Sequence, residues 1–326
     1  MTQQPLPETM LAAALNRFGG IEELVIQSVP VPRIGPEEVL IQVEAAGLGS
    51  WEPGEREGRY SDYLGKPEFP YVLGWEGAGI VAAVGERVDR LRLGDRVYAV
   101  VFPREGGNGG GFYAQYARAH ADEVSLVPGA LTFEEAAVMG WDALTALAGI
   151  ENTLQLRRGE SLMIFGASGG VGHFAIQLAK QIGARVFAVA SGADGVALSK
   201  RLGADVAVDG RRADVLAEAR KFADGLDAAL LTAGGSAAEN ALLALRDGGR
   251  VAYPNGVKPK PGPRSGVTTQ SFDAIRGASA IERLHRLIGT GPFEVHVSKA
   301  FSLHDIAEAH RALEAHHLGK LALRLT

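Results

Sequence analysis

The run Ser161-Leu162-Met163-Ile164-Phe165 leads directly into Gly166-Ala167-Ser168-Gly169-Gly170-Val171-Gly172, and Val171 opens an amphipathic stretch carrying Phe174, Ile176, Leu178 and Ile182. A β-rich run, a glycine-dense turn and a helix in that order constrain the fold more than any other feature of the chain. With Ala167, Gly169 and Gly172 in the three spaced places, the first allows a tight turn, the second lets backbone approach a pyrophosphate, and the third lets helix pack on strand. The helix N-terminus then offers N–H groups and the positive end of its dipole to phosphate. The spacing predicts a dinucleotide site with Gly166, Ala167, Ser168, Gly169, Gly170, Val171 and Gly172 as its contacts. Two rivals use the same residues. A P-loop needs Gly-Lys-Ser/Thr where this chain has Gly172-His173-Phe174, so the terminal-phosphate lysine is missing. Gly166-Ala167-Ser168-Gly169-Gly170 also fits the G-x-S-x-G elbow of α/β-hydrolases with Ser168 as nucleophile, a remoter alternative because the loop-bearing strand is the first of its sheet.

The rest of the chain divides around this motif. None of the 15 prolines falls between Gly129 and Tyr253, and the segment before Gly129 is dense in Pro and Gly with strand-like runs at Glu38–Glu44, Ala78–Val84, Asp95–Val101 and Phe112–Arg118. That spacing predicts a small all-β barrel or sandwich. Downstream, strands are expected at Ser161–Phe165, Arg185–Val189, Val206–Val208, Asp227–Leu231 and Arg250–Tyr253. They alternate with helices at Val171–Ile182, Gly195–Leu202, Ala213–Phe222 and Ala237–Leu245, the rhythm of a doubly wound parallel sheet. A sixth strand and a helix at Ala280–Ile288 follow, and Phe293–Thr326 carries strands around another helix. The stretch Asn255–Gly266 has no hydrophobic period and reads as a mobile loop or a lid edge.

Composition narrows the function. Lys+Arg total 33 against Asp+Glu 38, so no broad basic surface serves nucleic acid. Cysteine is absent, which removes disulfides, thiolate metal sites and cysteine nucleophiles and fits a reducing cytoplasm. No apolar run reaches membrane-span length, and Met1–Met10 is polar, unlike a secretory signal. At the end of the second downstream strand, where an acid would bind a ribose 2′-hydroxyl, the chain reads Val189-Ala190-Ser191-Gly192-Ala193-Asp194. Ser191 with Lys200 or Arg201 favours NADP(H). Asp194 leaves NAD(H) open, either as its carboxylate or as a plain helix N-cap.

Further stretches include Pro30-Val31-Pro32-Arg33-Ile34-Gly35-Pro36, Gly74-Trp75-Glu76-Gly77-Ala78-Gly79, Gly94-Asp95-Arg96-Val97, Leu202-Gly203-Ala204-Asp205 and Gly248-Gly249-Arg250-Val251. With the glycine loop they make the chain resemble the medium-chain dehydrogenase/reductase superfamily, in its zinc-independent quinone oxidoreductase branch. The resemblance implies an α/β protein: a GroES-like β-barrel catalytic domain from residues 1–127 and 292–326, and a Rossmann cofactor domain from 128–291, with the active site in a cleft joining them. Where zinc-dependent relatives hold metal with a Cys and the His of Gly-His-Glu, this chain has Ala45-Ala46-Gly47-Leu48-Gly49-Ser50 and Gly74-Trp75-Glu76, so no zinc is expected. The histidines, among them His304, His310 and His316, read as surface residues.

By the same resemblance Ala233 and Gly234, and Tyr253, Asn255 and Gly256, join the cofactor contacts. Trp51, Trp75 and Trp141 fall around the nicotinamide, as a flat apolar substrate pocket or simply as core. Tyr60 is a proton donor or a structural tyrosine. Asp142, where relatives carry threonine, is a proton relay or a cap or hydrogen-bond partner. Similar proteins often dimerise through the cofactor domain. The expected activity is hydride transfer from NADPH to a quinone or an α,β-unsaturated carbonyl, with a nucleotide-binding sensor or structural protein without turnover as the alternative.

Overall fold

The computed structural model describes residues 6–61, 67–101, 111–129, 131–275 and 277–325. Residues 1–5 of the polar N-terminal stretch and residue 326 of the tail lie outside them. Contacts divide the chain into one unit of Met1–Gly140 with Val297–Thr326 and another of Trp141–His296. The first division falls inside the helix Phe133–Leu147, downstream of the expected boundary at 127/128. The second falls at His296, a few residues beyond the expected 291/292.

In chain order the first unit contributes β1 (Thr9–Leu15), β2 (Leu24–Pro30), β3 (Glu38–Leu48), β4 (Tyr71–Val72), β5 (Glu76–Val84), β6 (Arg96–Val100), β7 (Tyr116–His120) and β8 (Val124–Leu126). The second unit contributes β9 (Ser161–Phe165), β10 (Arg185–Ala190), β11 (Val206–Asp209), β12 (Leu226–Leu231), β13 (Leu245–Pro254) and β14 (Thr268–Phe272). The tail returns to the first unit with β15 (Val297–Ser302) and β16 (Lys320–Arg324) around the helix Ile306–Glu314.

In the first unit β1 lies between β2 and β4, and a larger sheet runs β15-β16-β3-β5-β6-β8 with β7 also on β3. β3 is its organising strand. Val39, Leu40, Ile41, Val43, Ala46 and Leu48 are all buried, and β16, β5 and β7 pair with it antiparallel. Buried side chains from β1, β3, β5, β6, β7 and the tail form one continuous apolar cluster. Three of the expected strands coincide with β3, β5 and β6. The fourth starts later: Phe112 and Tyr113 are bent backbone whose N–H groups go to the carbonyls of Gly74 and Leu73, Ala114 makes a single bridge to Ala12, and the strand begins only at Tyr116. Local β propensity there is overridden by this cross-chain backbone pairing.

The second unit is a parallel sheet in the order β11-β10-β9-β12-β13-β14. Leu162, Met163 and Ile164 of β9 are fully buried, as a strand covered by helices on both faces requires. Strand order reverses between β9 and β12, so a crevice opens outside their carboxyl ends. The helix Gly170–Ile182 closes with a Schellman turn at Gly183, where Ala184 N–H reaches Ala179 O and Gly183 N–H reaches Lys180 O, both at 3.0 Å. At the opposite end of the sheet the Asp227 carboxylate ties three strands together, accepting from the N–H and hydroxyl of Ser161 and from Arg246 Nε.

Candidate functional site

The predicted phosphate turn forms as a turn between β9 and the helix Gly170–Ile182. Its left-handed residue is Gly166 (φ 87°), one place before the alanine given that role from spacing. A Cβ there would meet the Thr232 hydroxyl at 2.2 Å, and that hydroxyl donates to Phe165 O and Gly166 O. Thr232 therefore braces the turn, a role that no sequence pattern announced. Gly172 allows the expected close packing, since a Cβ would lie 2.2 Å from Gly166 O and 2.7 Å from Ala167 Cα. At Gly169 the opposite holds: the nearest atom to a Cβ is Gly166 O at 3.5 Å, leaving open space above the helix N-terminus. Gly169 supplies no side-chain cap, so the first N–H groups of the helix point into that space. These residues fit a pyrophosphate.

Around the turn the sheet gathers most of the other predicted contacts at its carboxyl edge. Ala233 and Gly234 follow β12, and a Cβ on Gly234 would meet Pro259 O at 2.3 Å. Tyr253 lies near the end of β13, Asn255 and Gly256 follow the strand, and the Asn255 amide donates to Asp273 at 2.8 Å. Ser191 follows β10 directly and precedes the helix Gly192–Arg201 without capping it. Lys200 does not join them. It is exposed in the last turn of that helix, about 13 Å along the axis from Ser191 at the helical rise per residue, beyond the reach of a lysine side chain. Nearer cations follow β11: the N–H groups of Gly192 and Arg211 share the Asp209 carboxylate, each at 3.1 Å, and Arg212 comes next. Asp194 is exposed and accepts from the Gly195 N–H at 2.8 Å, within the helix's first turn.

Two expectations about this unit change. Ser168 is buried, its Oγ accepting from Ser191 N–H at 3.5 Å and lying 2.8 Å from where a Gly195 Cβ would stand. It is not the exposed nucleophile of a hydrolase elbow. The Asn255–Gly266 loop is anchored, because Glu239 accepts from Gly262 N–H at 2.8 Å and pairs with Arg264. Trp141 and Asp142 belong to this unit, inside the helix Phe133–Leu147. Asp142 is buried at the helix interior, which rules out a capping role.

In the first unit Trp51 and Trp75 come together with ring centroids 5.5 Å apart. A Cβ at residue 49 would meet the Trp51 indole at 2.3 Å, so the ring fills the space a side chain there would need. Lys320 Nζ stands 5.7 Å from the Trp51 ring and pairs with Glu76 at 3.0 Å, both buried. Tyr60 is 37% exposed and packs on Gly54.

Sequence reasoning missed the two carboxyls of the five-residue helix Glu52–Arg56, although their spacing of three along a short helix was readable. Glu52 is fully buried and accepts from Gly49 N–H and the Tyr113 hydroxyl. Burial holds its pKa well above the usual carboxyl range despite those bonds. Glu55 accepts from the Tyr71 hydroxyl at 2.6 Å, and burial pushes its pKa up to about 7. Arg56 reaches His310 Nδ1 at 3.0 Å. His310 is buried, not a surface residue, and burial with the Arg56 charge pushes it down to about 3.

Two family models match the chain, an alcohol dehydrogenase GroES-like domain over residues 35–129 and a zinc-binding dehydrogenase over 170–271. An alcohol dehydrogenase of Rhizobium meliloti is 36% identical over 75% of this chain and 76% of its own. A quinone oxidoreductase of Lama guanicoe is 33% identical over 83% and 80%. An NADPH-dependent alkenal/one oxidoreductase of Arabidopsis thaliana is 29% identical over 96% and 78%. Among solved structures, an NAD-dependent alcohol dehydrogenase superposes with a TM-score of 0.88 at 29% identity, covering 97% of this chain and all of that one. An α/β architecture, a GroES-like domain, a dinucleotide-binding sheet and these relatives agree. The chain belongs to the medium-chain dehydrogenase/reductase superfamily, in its quinone oxidoreductase-like branch, and is an oxidoreductase.

Proposed function

We propose that this oxidoreductase is zinc-independent, uses NADP(H), and reduces a quinone or the carbon–carbon double bond of an α,β-unsaturated carbonyl in the cytoplasm. The observation that carries the reading is the filling of the metal-ligand positions: Gly49 has no donor, Trp75 stands where a histidine ligand would, and the Trp51 indole takes the space between. A catalytic zinc is held by imidazole nitrogen, thiolate sulfur or carboxylate oxygen, and neither Gly49 nor Trp75 supplies any of these. A reduced nicotinamide supplies hydride to a conjugated carbon or a quinone ring. The Gly166–Gly172 turn holds the pyrophosphate, and the paired rings of Trp51 and Trp75 supply flat apolar surface for a small aromatic or conjugated substrate. Tyr60 is assigned as the donor to the substrate oxygen, and Asp142 as a hydrogen-bond partner near the coenzyme.

The preference for NADP(H) rests on Ser191, where an NAD-selecting acid would stand, and on Arg211 and Arg212 nearby. Asp194 is engaged with its own helix. The test is the purified protein with NADPH or NADH against a panel of quinones, enones and enals, followed by nicotinamide absorbance, with elemental analysis alongside. Oxidation of NADPH by at least one acceptor with substoichiometric zinc is expected. No oxidation with any acceptor, or one tightly bound zinc per chain at the residue 49/75 site, overturns the proposal.

A further inference from the structure

Residues 292–296, where the chain leaves the second unit, form neither helix nor strand, so their backbone groups need partners elsewhere. One face of the helix Gly170–Ile182 provides them. Gln177 donates to Glu294 O at 2.9 Å and accepts from Glu294 N–H at 2.7 Å, and His173 Nε2 accepts from His296 N–H at 3.4 Å. Gln181 donates to Leu287 O at 3.0 Å, and Phe174 stacks on Phe293 with centroids 5.6 Å apart. His173, Gln177 and Gln181 thus form a polar ladder at every fourth residue.

His173 differs from the other two rungs because its ring reaches the phosphate turn as well. It is fully buried, and its Nδ1 stands 3.0 Å from Gly169 O, the carbonyl that already accepts the His173 backbone N–H at 3.1 Å. Nδ1 faces a carbonyl and must donate; Nε2 faces an N–H and must accept, which assigns the Nδ1–H tautomer. Two donors on Gly169 O draw down the negative pole beside an anion site. They also fix the peptide above which the open space lies.

We propose that His173 is a positioning residue for the coenzyme: its Nδ1–H holds the Gly169 carbonyl in the orientation that leaves the turn's N–H groups to the pyrophosphate. The inference rests on the dinucleotide reading above. Asparagine places an amide N–H near the position of Nδ1 but does not reach His296, whereas glutamine reaches His296 N–H and leaves Gly169 O with one donor. His173→Asn is expected to bind NADPH within about threefold of the unsubstituted protein, and His173→Gln and His173→Phe about tenfold or more weakly, in a fluorescence titration. Thermal midpoints of the Asn and Gln variants should lie close together, since each loses one buried hydrogen bond. A merely structural role predicts affinity that follows stability, so equal NADPH affinities for His173→Asn and His173→Gln overturn the proposal. Unsubstituted protein that binds neither NADPH nor NADH overturns this and the dinucleotide reading together; binding by that protein with no Asn/Gln difference overturns the role of His173 alone.

Discussion

At the scale of single residues, the glycine loop separates two functions that spacing alone runs together. Gly172 serves packing, so Gly172→Ala drives a Cβ into the backbone of residues 166–167. It should cost about 1–3 kcal/mol in denaturant unfolding as well as coenzyme affinity. Gly169 serves the ligand. Gly169→Ala meets only ordinary contact, so stability should stay within about 0.5 kcal/mol while NADPH binding in titration calorimetry is lost. Glu55 gives a pH signature. Its pKa rises from 4.5 to about 7 on folding, so between those values the native state holds a proton that the unfolded chain has released. Stability is therefore fully present below pH 4.5 and falls as pH rises toward 7, by about 1.4 kcal/mol per unit from this group. The gap between urea midpoints measured at acidic and mildly alkaline pH should narrow in Glu55→Gln, with Glu52 keeping the remainder. The glycine loop was legible because each small residue answers a steric demand within a few positions. Glu52, Glu55 and Thr232 were not, because their meaning comes from Tyr113, Tyr71 and Gly166, which lie far along the chain.

At the scale of elements, the parallel sheet followed from periodicity: β9 to β12 were anticipated to within one residue at each end, while β13 begins at Leu245, five residues before the expected Arg250. Apolar runs buried on two faces carry their own signal. The Asn255–Gly266 loop did not, because a segment without hydrophobic period looks mobile until its anchor is seen. That anchor is Glu239 on the helix Ser236–Ala241. Glu239→Ala should free the loop, seen as faster amide hydrogen exchange across residues 256–266 with little change elsewhere in the sheet. The N-terminal half was less legible: β1 and β2 pair with each other through alternating contacts, and the short β4 joins β1 from a distant place in the sequence.

At the scale of the whole molecule, the chain leaves the first unit, builds the second and comes back. β16 then takes an interior place in the larger sheet, paired with β3 on one side and β15 on the other. Deleting residues 297–326 should strip β3 of a neighbour and remove Lys320 from Glu76, leaving a buried carboxylate without its cation. Limited proteolysis should then cut the 1–140 segment rapidly while 141–296 persists. The two-unit plan was foreseen from the change in proline usage, but the joint within the helix Phe133–Leu147 was not, since helical periodicity runs across it without a break. One consequence follows from the carboxyls beneath the tryptophans. Because Glu52 and Glu55 favour their acid forms once enclosed, folding in neutral solution draws hydrogen ions from the medium. Melting returns those ions to the buffer, so the heat of melting will be smaller in Tris, which binds a proton with a large release of heat, than in phosphate, even though no coenzyme is involved.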